Sequence, residues 1–469
     1  MTSRKLQNLR SLWHRGRKSA MLVGVIGSGI RASANILLLP ILLHKFTKPE
    51  WTIWYEFLAL GGFAFLADFG FGPSISRVYS YLWAGAADFE AEGMPEPTPG
   101  RPPNFDRLAE LNATVRYLYC RLSLIAMAAL AICGTLFLRK NIHAYSHPTE
   151  MWILWAGYAA AIGYNLMTSH WMSACQGIDR MKALQMALVV SSLAYVTVAA
   201  GLLLAGAGMA GVVVATFVRA CVTHLYCRWA YLKTVPTRPE PAHVNFKMLK
   251  TLWPNARKFG IVSIGSYCVG NALFLVSTRV LPDDIAASIG LTKQIGDFAT
   301  TCAALWLGVK WPQIIILRTQ GRLQEMAALF ARRLGLMMVS YGVMAVCLLL
   351  WGNVLLKLKG SHNQLLPGPY LLLYLAYLAQ NIFYVQFGTL AYTENVMPFF
   401  KIGVFTGIAE LIITYILARL FGLWGLLIGP CLAEMAYSSW FTVRRGFQGQ
   451  PLSVREFCRA AVWGHAPAK

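Results

Sequence analysis

The sequence predicts an all-α integral membrane protein, with about twelve transmembrane helices in two six-helix lobes around a central cavity. Three observations lead there. The 469-residue chain is 57% hydrophobic and only 13% charged, with a mean hydropathy of +0.50. A soluble globular protein carries about 25% charged residues, so this chain has too little polar surface to cover a water-soluble core. Disorder and an ordinary soluble multidomain enzyme are both excluded. Second, apolar stretches recur that reach the roughly 20 residues a bilayer-crossing helix needs. Third, one polar segment near the middle divides them six and six.

In order, the expected spans are 19–44, 51–76, 117–138, 151–174, 183–206 and 209–231, then 258–280, 286–311, 334–356, 368–392, 400–419 and 421–443. Before the first lies a basic, polar stretch, Met1 to Ala20. Ala32-Ser33-Ala34 mimics a signal-peptide cleavage site. Arg31 stands directly before it and the apolar run continues through Leu43, so an uncleaved first helix is expected. This gives an N-terminal lobe at 1–233, a linker at 234–257, a C-terminal lobe at 258–443 and a basic tail at 444–469. Residues 84–112 form an acidic, proline-rich insertion in the first lobe, expected to be flexible with a short helix near its end. In the linker, Phe246, Leu249, Leu252 and Trp253 make one apolar face, suited to the headgroup zone.

Charge orients the chain. The formal net charge is +22, from 42 Lys and Arg against 20 Asp and Glu. With the N-terminus inside, about 31 of the basic residues fall on inner segments and about 8 on outer ones. Both termini are therefore expected in the cytoplasm. Nucleic-acid binding is not expected, because the basic residues are dispersed between apolar spans. The ten cysteines sit singly, without metal-ligand spacing, and read as small apolar packers with no disulfides and no metal.

The halves read as a parallel repeat. Gly208-Met-Ala-Gly211 opens the sixth span, and Gly422-Leu-Trp-Gly425 opens the twelfth, 214 residues later. Two lobes of the same orientation suggest a cavity between them.

Ionisable residues inside spans mark where chemistry sits, because each costs about 2.5–3.5 kcal/mol at mid-bilayer and so faces protein or a wet cavity. In the first span Gly24, Ser28, Arg31 and Asn35 share one helix face. Arg31 suits a phosphate, which its planar fork can bind through two oxygens. It equally suits an internal salt bridge with Glu56 or Asp68. Asp68-Phe-Gly70-Phe-Gly72-Pro73 should break the second span, with Asp68 either ion-coupled or capping freed backbone donors. Arg219 has no acid in its own helix, which implies a partner or an anionic ligand. Lys293 and Asp297 stand at i, i+4 and can pair. Glu410 and Glu434 are lone acids at depth, either proton carriers or structural. Tyr370, Tyr374, Tyr377, Asn381 and Tyr384 form a stripe that suits either sugar rings or plain helix packing.

No P-loop, zinc-protease motif or nucleophile elbow occurs. No built-in ATPase is therefore expected, and no large outer domain stands ready to house a polymerase.

The run Phe65-Leu-Ala-Asp-Phe-Gly-Phe-Gly-Pro-Ser-Ile-Ser-Arg77 resembles the signature of polysaccharide flippases, the Wzx-type members of the multidrug/oligosaccharidyl-lipid/polysaccharide (MOP) exporter superfamily. Phe46-Thr-Lys-Pro-Glu-Trp-Thr-Ile-Trp-Tyr is similar to their loop after helix 1, with Thr52 where glycine is usual. Gln176-Gly-Ile-Asp-Arg180 with Lys182, and Trp311-Pro-Gln through Arg318 and Arg333, resemble two of their inner loops. The insertion at 90–104 departs from the pattern. The resemblance implies two six-helix bundles around a cationic cavity, in a bacterial cytoplasmic (inner) membrane. It implies alternating-access transfer of an undecaprenyl-pyrophosphate-linked oligosaccharide to the outer leaflet for surface polysaccharide biosynthesis. On that reading Arg31, Asn35, Arg219 and Lys293 face the substrate, and Tyr374, Tyr377, Asn381 and Tyr384 face its glycan. Asp68, Asp297, Glu410 or Glu434 would couple to H+ or Na+. No cofactor is expected. The partners would be the lipid-linked glycan, membrane lipid and either a polysaccharide polymerase or glycosyltransferases. The rivals are an ion-coupled drug extruder of the same superfamily and a membrane-embedded glycosyltransferase or polymerase.

Overall fold

The computed structural model describes residues 37–68, 70–89, 102–236, 243–319, 321–358, 363–392, 400–448 and 450–463. They are helical throughout, without a strand among them. Contacts divide them into two compact units, one up to Ser263 and one from Ile264 onward, with Thr47–Thr52 grouped in the second. Of the described helices, six are long and apolar enough to cross a membrane.

Residues 37–45, the described end of the first expected span, are helical. Then come α1 (Lys48–Leu66) and α2 (Phe71–Trp83). They replace a single expected span, because Gly70 takes a left-handed φ of 67° and Pro73 follows. The 90–101 part of the insertion lies outside the described residues. Its two ends meet: Asn104 N–H donates to Leu82 O at 2.9 Å, and Asn104 Nδ2 to Ala86 O at 3.2 Å. The short helix expected there is instead the start of α3 (Phe105–Ala129), where the Asn104 side chain caps Arg107 N–H. One π-helical turn, Leu130–Gly134, joins α3 to α4 (Thr135–His143).

Next come α5 (Pro148–Thr168), α6 (His170–Gly177), α7 (Met181–Leu204) and α8 (Gly208–Leu232). Trp54, Phe57, Trp155 and Tyr158 form one aromatic core, with ring centroids 5.0–6.5 Å apart. The linker continues as the first turns of α9 (Phe246–Val280), in which Leu252 is buried while Phe246 and Trp253 remain largely exposed.

The second unit adds α10 (Asp283–Gly308), α11 (Trp311–Thr319), α12 (Leu323–Leu358), α13 (Gly368–Tyr392) and α14 (Phe400–Ala433). A π-helical turn, Glu434–Ser438, then leads into α15 (Ser439–Gln448) and α16 (Val454–Trp463). Helix α14 is a hairpin of two arms folded at Gly422 (φ 58°, ψ −131°). In the basic tail, Ser453 and Glu456 cap α16 reciprocally. Phe457 then seats that helix among Phe330, Phe387 and Phe447, at centroid distances of 4.9–6.0 Å.

The repeated glycines do the same work in both units. Gly208 and Gly422 take φ values of 52° and 58°, which L side chains rarely adopt. Gly211 lies against Leu202 of α7, and Gly425 against the Leu417 backbone across the α14 fold. Four residues on, Ala215 and Gly429 keep each contact small, so two helices approach closely as membrane helices tend to.

Candidate functional site

A buried polar site lies in the second unit. The two arms of α14 close on Gly425 and Gly429, the latter packed on Thr414. Glu410 comes from the first arm, and Glu434 opens the π-helical turn after the second. Both are 0% exposed, and each stands about one helical turn beyond the Thr414–Gly429 contact between the arms. Glu434 Oε1 accepts from Asn381 Nδ2 at 2.9 Å and from the Tyr384 hydroxyl at 3.0 Å. Asn381 Nδ2 also approaches the Tyr384 hydroxyl at 3.3 Å, and the Tyr377 hydroxyl also bonds Glu434. Glu434 Oε2 and both carboxyl oxygens of Glu410 are buried without a hydrogen-bond partner among the described residues. Burying a charge costs several kcal/mol unless it is paired, so the pair is suited to a proton or a small cation.

The tyrosine stripe of α13 forms one wall of this site. Tyr374, Tyr377 and Tyr384 are buried, and Tyr370 packs on Trp424 with centroids 4.7 Å apart. Lys293 Nζ and Asp297 Oδ2 stand 2.5 Å apart on α10. The Thr300 and Thr301 hydroxyls turn back to the Asp297 carbonyl, at 2.9 and 2.7 Å. Gly296 lets this helix meet the Tyr374 ring.

A second polar cluster lies in the first unit. The break after α1 frees the first backbone donors of α2, and Asp68 Oδ2 accepts from Gly72 N–H at 3.2 Å. Asp68 Oδ1 accepts from the Tyr119 hydroxyl of α3, which lies near Ser169 and Ser173. His170 packs against the Tyr119 ring at 5.9 Å, and its buried Nε2 has no partner among the described residues. Of the two roles expected for Asp68, capping is therefore present. Asp68→Ala should lower stability by about 2–4 kcal/mol by stranding Gly72 N–H and the Tyr119 hydroxyl. Asp68→Asn, which keeps an acceptor, should retain most of it. Thermal unfolding in detergent distinguishes the two.

Arg219 of α8 lies over the Tyr195 ring of α7, 5.8 Å from its centroid, and forms no ion pair among the described residues. Counted from Gly211, Arg219 is eight residues on; counted from Gly425, Glu434 is nine. The repeat thus carries a cation at this depth in the first unit and a carboxylate in the second. Arg31 and Asn35 lie outside the described residues. Sequence reasoning missed Tyr119, His170 and Asn141, whose Nδ2 donates to the buried Glu56 at 2.9 Å. Tyr119 is 51 residues from Asp68, and no periodicity within one helix signals such a contact.

No protein-family model matches the chain, and no curated protein matches it. Solved structures do. An inward-facing multidrug-resistance MATE family transporter of the MOP superfamily aligns with a TM-score of 0.65 at 14% identity, over 89% of this chain and 94% of that one. The MATE multidrug transporter DinF-BH, solved as a complex, aligns at 0.62 and 14% identity, over 94% and 96%. A MOP superfamily transporter from Pyrococcus furiosus, described as having a binding pocket of reverse polarity, aligns at 0.51 and 14% identity, over 91% and 96%. At this identity the likeness concerns the fold, and it spans nearly the full length of each partner. The chain has the two-unit, all-α membrane fold of the MOP-superfamily transporters.

Proposed function

We propose that the chain transfers an undecaprenyl-pyrophosphate-linked oligosaccharide from the inner to the outer leaflet of a bacterial cytoplasmic membrane, by alternating access, for surface polysaccharide assembly. Both termini would be cytoplasmic, and no covalent chemistry is involved. The observation that carries this reading is Arg219, a cation in an apolar helix without an acidic partner among the described residues. An unpaired guanidinium at that depth favours an anionic ligand, and its fork matches phosphate oxygens. The ordered motifs that resemble polysaccharide flippases add to it. Arg31 and Asn35 would act with Arg219 on the pyrophosphate, and Lys293 would be available to substrate when released from Asp297. Tyr374, Tyr377, Asn381 and Tyr384 would meet the glycan only if the wall around Glu434 opens.

Coupling to H+ or Na+ is assigned first to Glu410 and Glu434, and after them to Asp68 and Asp297. An ion between the two glutamates removes one of two buried like charges. Its release leaves them to repel, which biases the α14 hairpin between two arrangements. The same acidic pair favours a second reading, extrusion of a cationic compound. Membrane lipid, and a polymerase or glycosyltransferases, remain the proposed partners.

The test is reconstitution in liposomes with a fluorescent polyprenyl-pyrophosphate oligosaccharide and a reagent confined to the outside. Arg219→Ala is expected to slow transfer about tenfold or more, the factor for one lost charge-assisted hydrogen bond. An unchanged rate in that variant sinks the assignment of Arg219. No transfer of any glycan, alongside proton-linked efflux of a cationic dye, selects the extruder.

A further inference from the structure

We propose that Arg139, Lys140 and His143 form a site for the phosphate headgroup of an anionic membrane lipid, whose acyl chain lies along Leu136 and Ile132. Leu136, Arg139, Lys140 and His143 line a surface cavity of about 420 Å3 at the end of α4. They stand at i, i+3, i+4 and i+7, so they share one helix face. All four are exposed, and none of the three basic residues forms an ion pair among the described residues.

Two features point to a ligand beyond general surface charge. The first is position. The cluster directly follows the third expected span, on the side where the chain carries few basic residues. Topology alone does not put cations there, because the positive-inside bias acts against it. The C-terminus of α4 favours a cation in its last turn, which Lys140 or His143 alone would satisfy. It leaves Arg139 and the cavity unaccounted for. The second feature is the apolar continuation. Leu136 is 67% exposed and Ile132, one turn earlier, 63%. The face thus runs from hydrocarbon-compatible side chains to phosphate-compatible ones, as an amphiphile does. Trp152 of α5 stands edge-on to His143 with centroids 6.2 Å apart, a residue type that concentrates at the membrane–water interface. Arg supplies a planar fork and Lys a point charge, a combination that suits phosphate oxygens. The acyl contact selects a lipid over a soluble anion. From the proposed function this inference takes only the orientation that places residues 139–147 outside.

The full-length protein is placed in phosphatidylcholine nanodiscs doped with photoactivatable phosphatidylglycerol, or with photoactivatable phosphatidylcholine as control. Crosslinked peptides are then quantified. Label over residues 132–152 should favour phosphatidylglycerol. That preference should fall about tenfold or more in Arg139→Gln/Lys140→Gln, the scale for removing two cations at an anionic surface. Both side chains are exposed, so the variant should fold. Equal labelling by the two lipids, or labelling indifferent to the double substitution, overturns the site. Loss of label on adding inorganic phosphate, against chloride at matched ionic strength, overturns the lipid in favour of a soluble anion. Ser146→Cys, probed with an impermeant thiol reagent against the parent chain, tests the orientation separately. A cytoplasmic Ser146 with the lipid preference intact leaves the site standing and removes the orientation.

Discussion

Glu434→Leu is expected to lower the stability of the second unit by about 2–4 kcal/mol, while Glu410→Leu leaves it unchanged or raises it. The two residues look alike in sequence, as single acids within apolar helices. Their surroundings differ. Glu434 accepts hydrogen bonds from Asn381, Tyr384 and Tyr377, so its removal strands buried donors, each costing about 1–3 kcal/mol. Neither oxygen of Glu410 has a partner among the described residues. Leucine fills a similar volume and takes no charge out of water, so nothing is lost with the carboxyl. Thermal unfolding in detergent measures both. Equal losses would mean that Glu410 is a structural acid. If the stable Glu410→Leu protein also transports without responding to a pH or Na+ gradient, the proposed coupling role gains direct support.

Gly425→Ala is expected to open the α14 hairpin. A Cβ there would overlap the Leu417 carbonyl oxygen and carbon, both backbone atoms that no rotamer change can move. The arms would have to separate, and Glu410 would part from Glu434. The cost should reach or exceed the upper end of the usual overpacking range, about 3 kcal/mol. At the matching position, Gly211→Ala meets the Leu202 Cβ at 2.8 Å and backbone only at 3.4 Å, so its loss should be smaller. Yield of monodisperse protein and its unfolding temperature rank the two variants. A Gly425→Ala protein as stable as the parent would mean that the close approach of the arms is dispensable.

The helices were legible wherever one segment carries its own signal. Apolar length places α7, α8 and α13 with little error, because a helix satisfies its backbone internally and needs only composition to cross lipid. The Gly-Phe-Gly-Pro break was legible because φ freedom and a missing donor are properties of single residues. The repeated Gly-x-x-Gly turns were legible for the same reason. The start of α3 was misplaced: the sequence read as a separate short helix, but the Asn104 cap leads into one continuous element.

Partner choice was not legible. Arg219, Glu410 and Glu434 each present an ionisable group in an apolar helix, and one-dimensional spacing states only that each needs a reason to be there. Whether that reason is a ring, three donors or nothing among the described residues depends on contacts between helices many residues apart. Tyr377, Asn381 and Tyr384 illustrate it. Their periodicity defines a face, while the helix packed against that face decides that Glu434 takes their hydrogen bonds. By itself, then, the sequence determined the apolar helices able to cross a membrane, the break after Asp68 and the paired turn glycines, all properties of local composition and backbone freedom. Only the tertiary structure decided which buried charges are satisfied and which are left open, because that depends on which helices pack together.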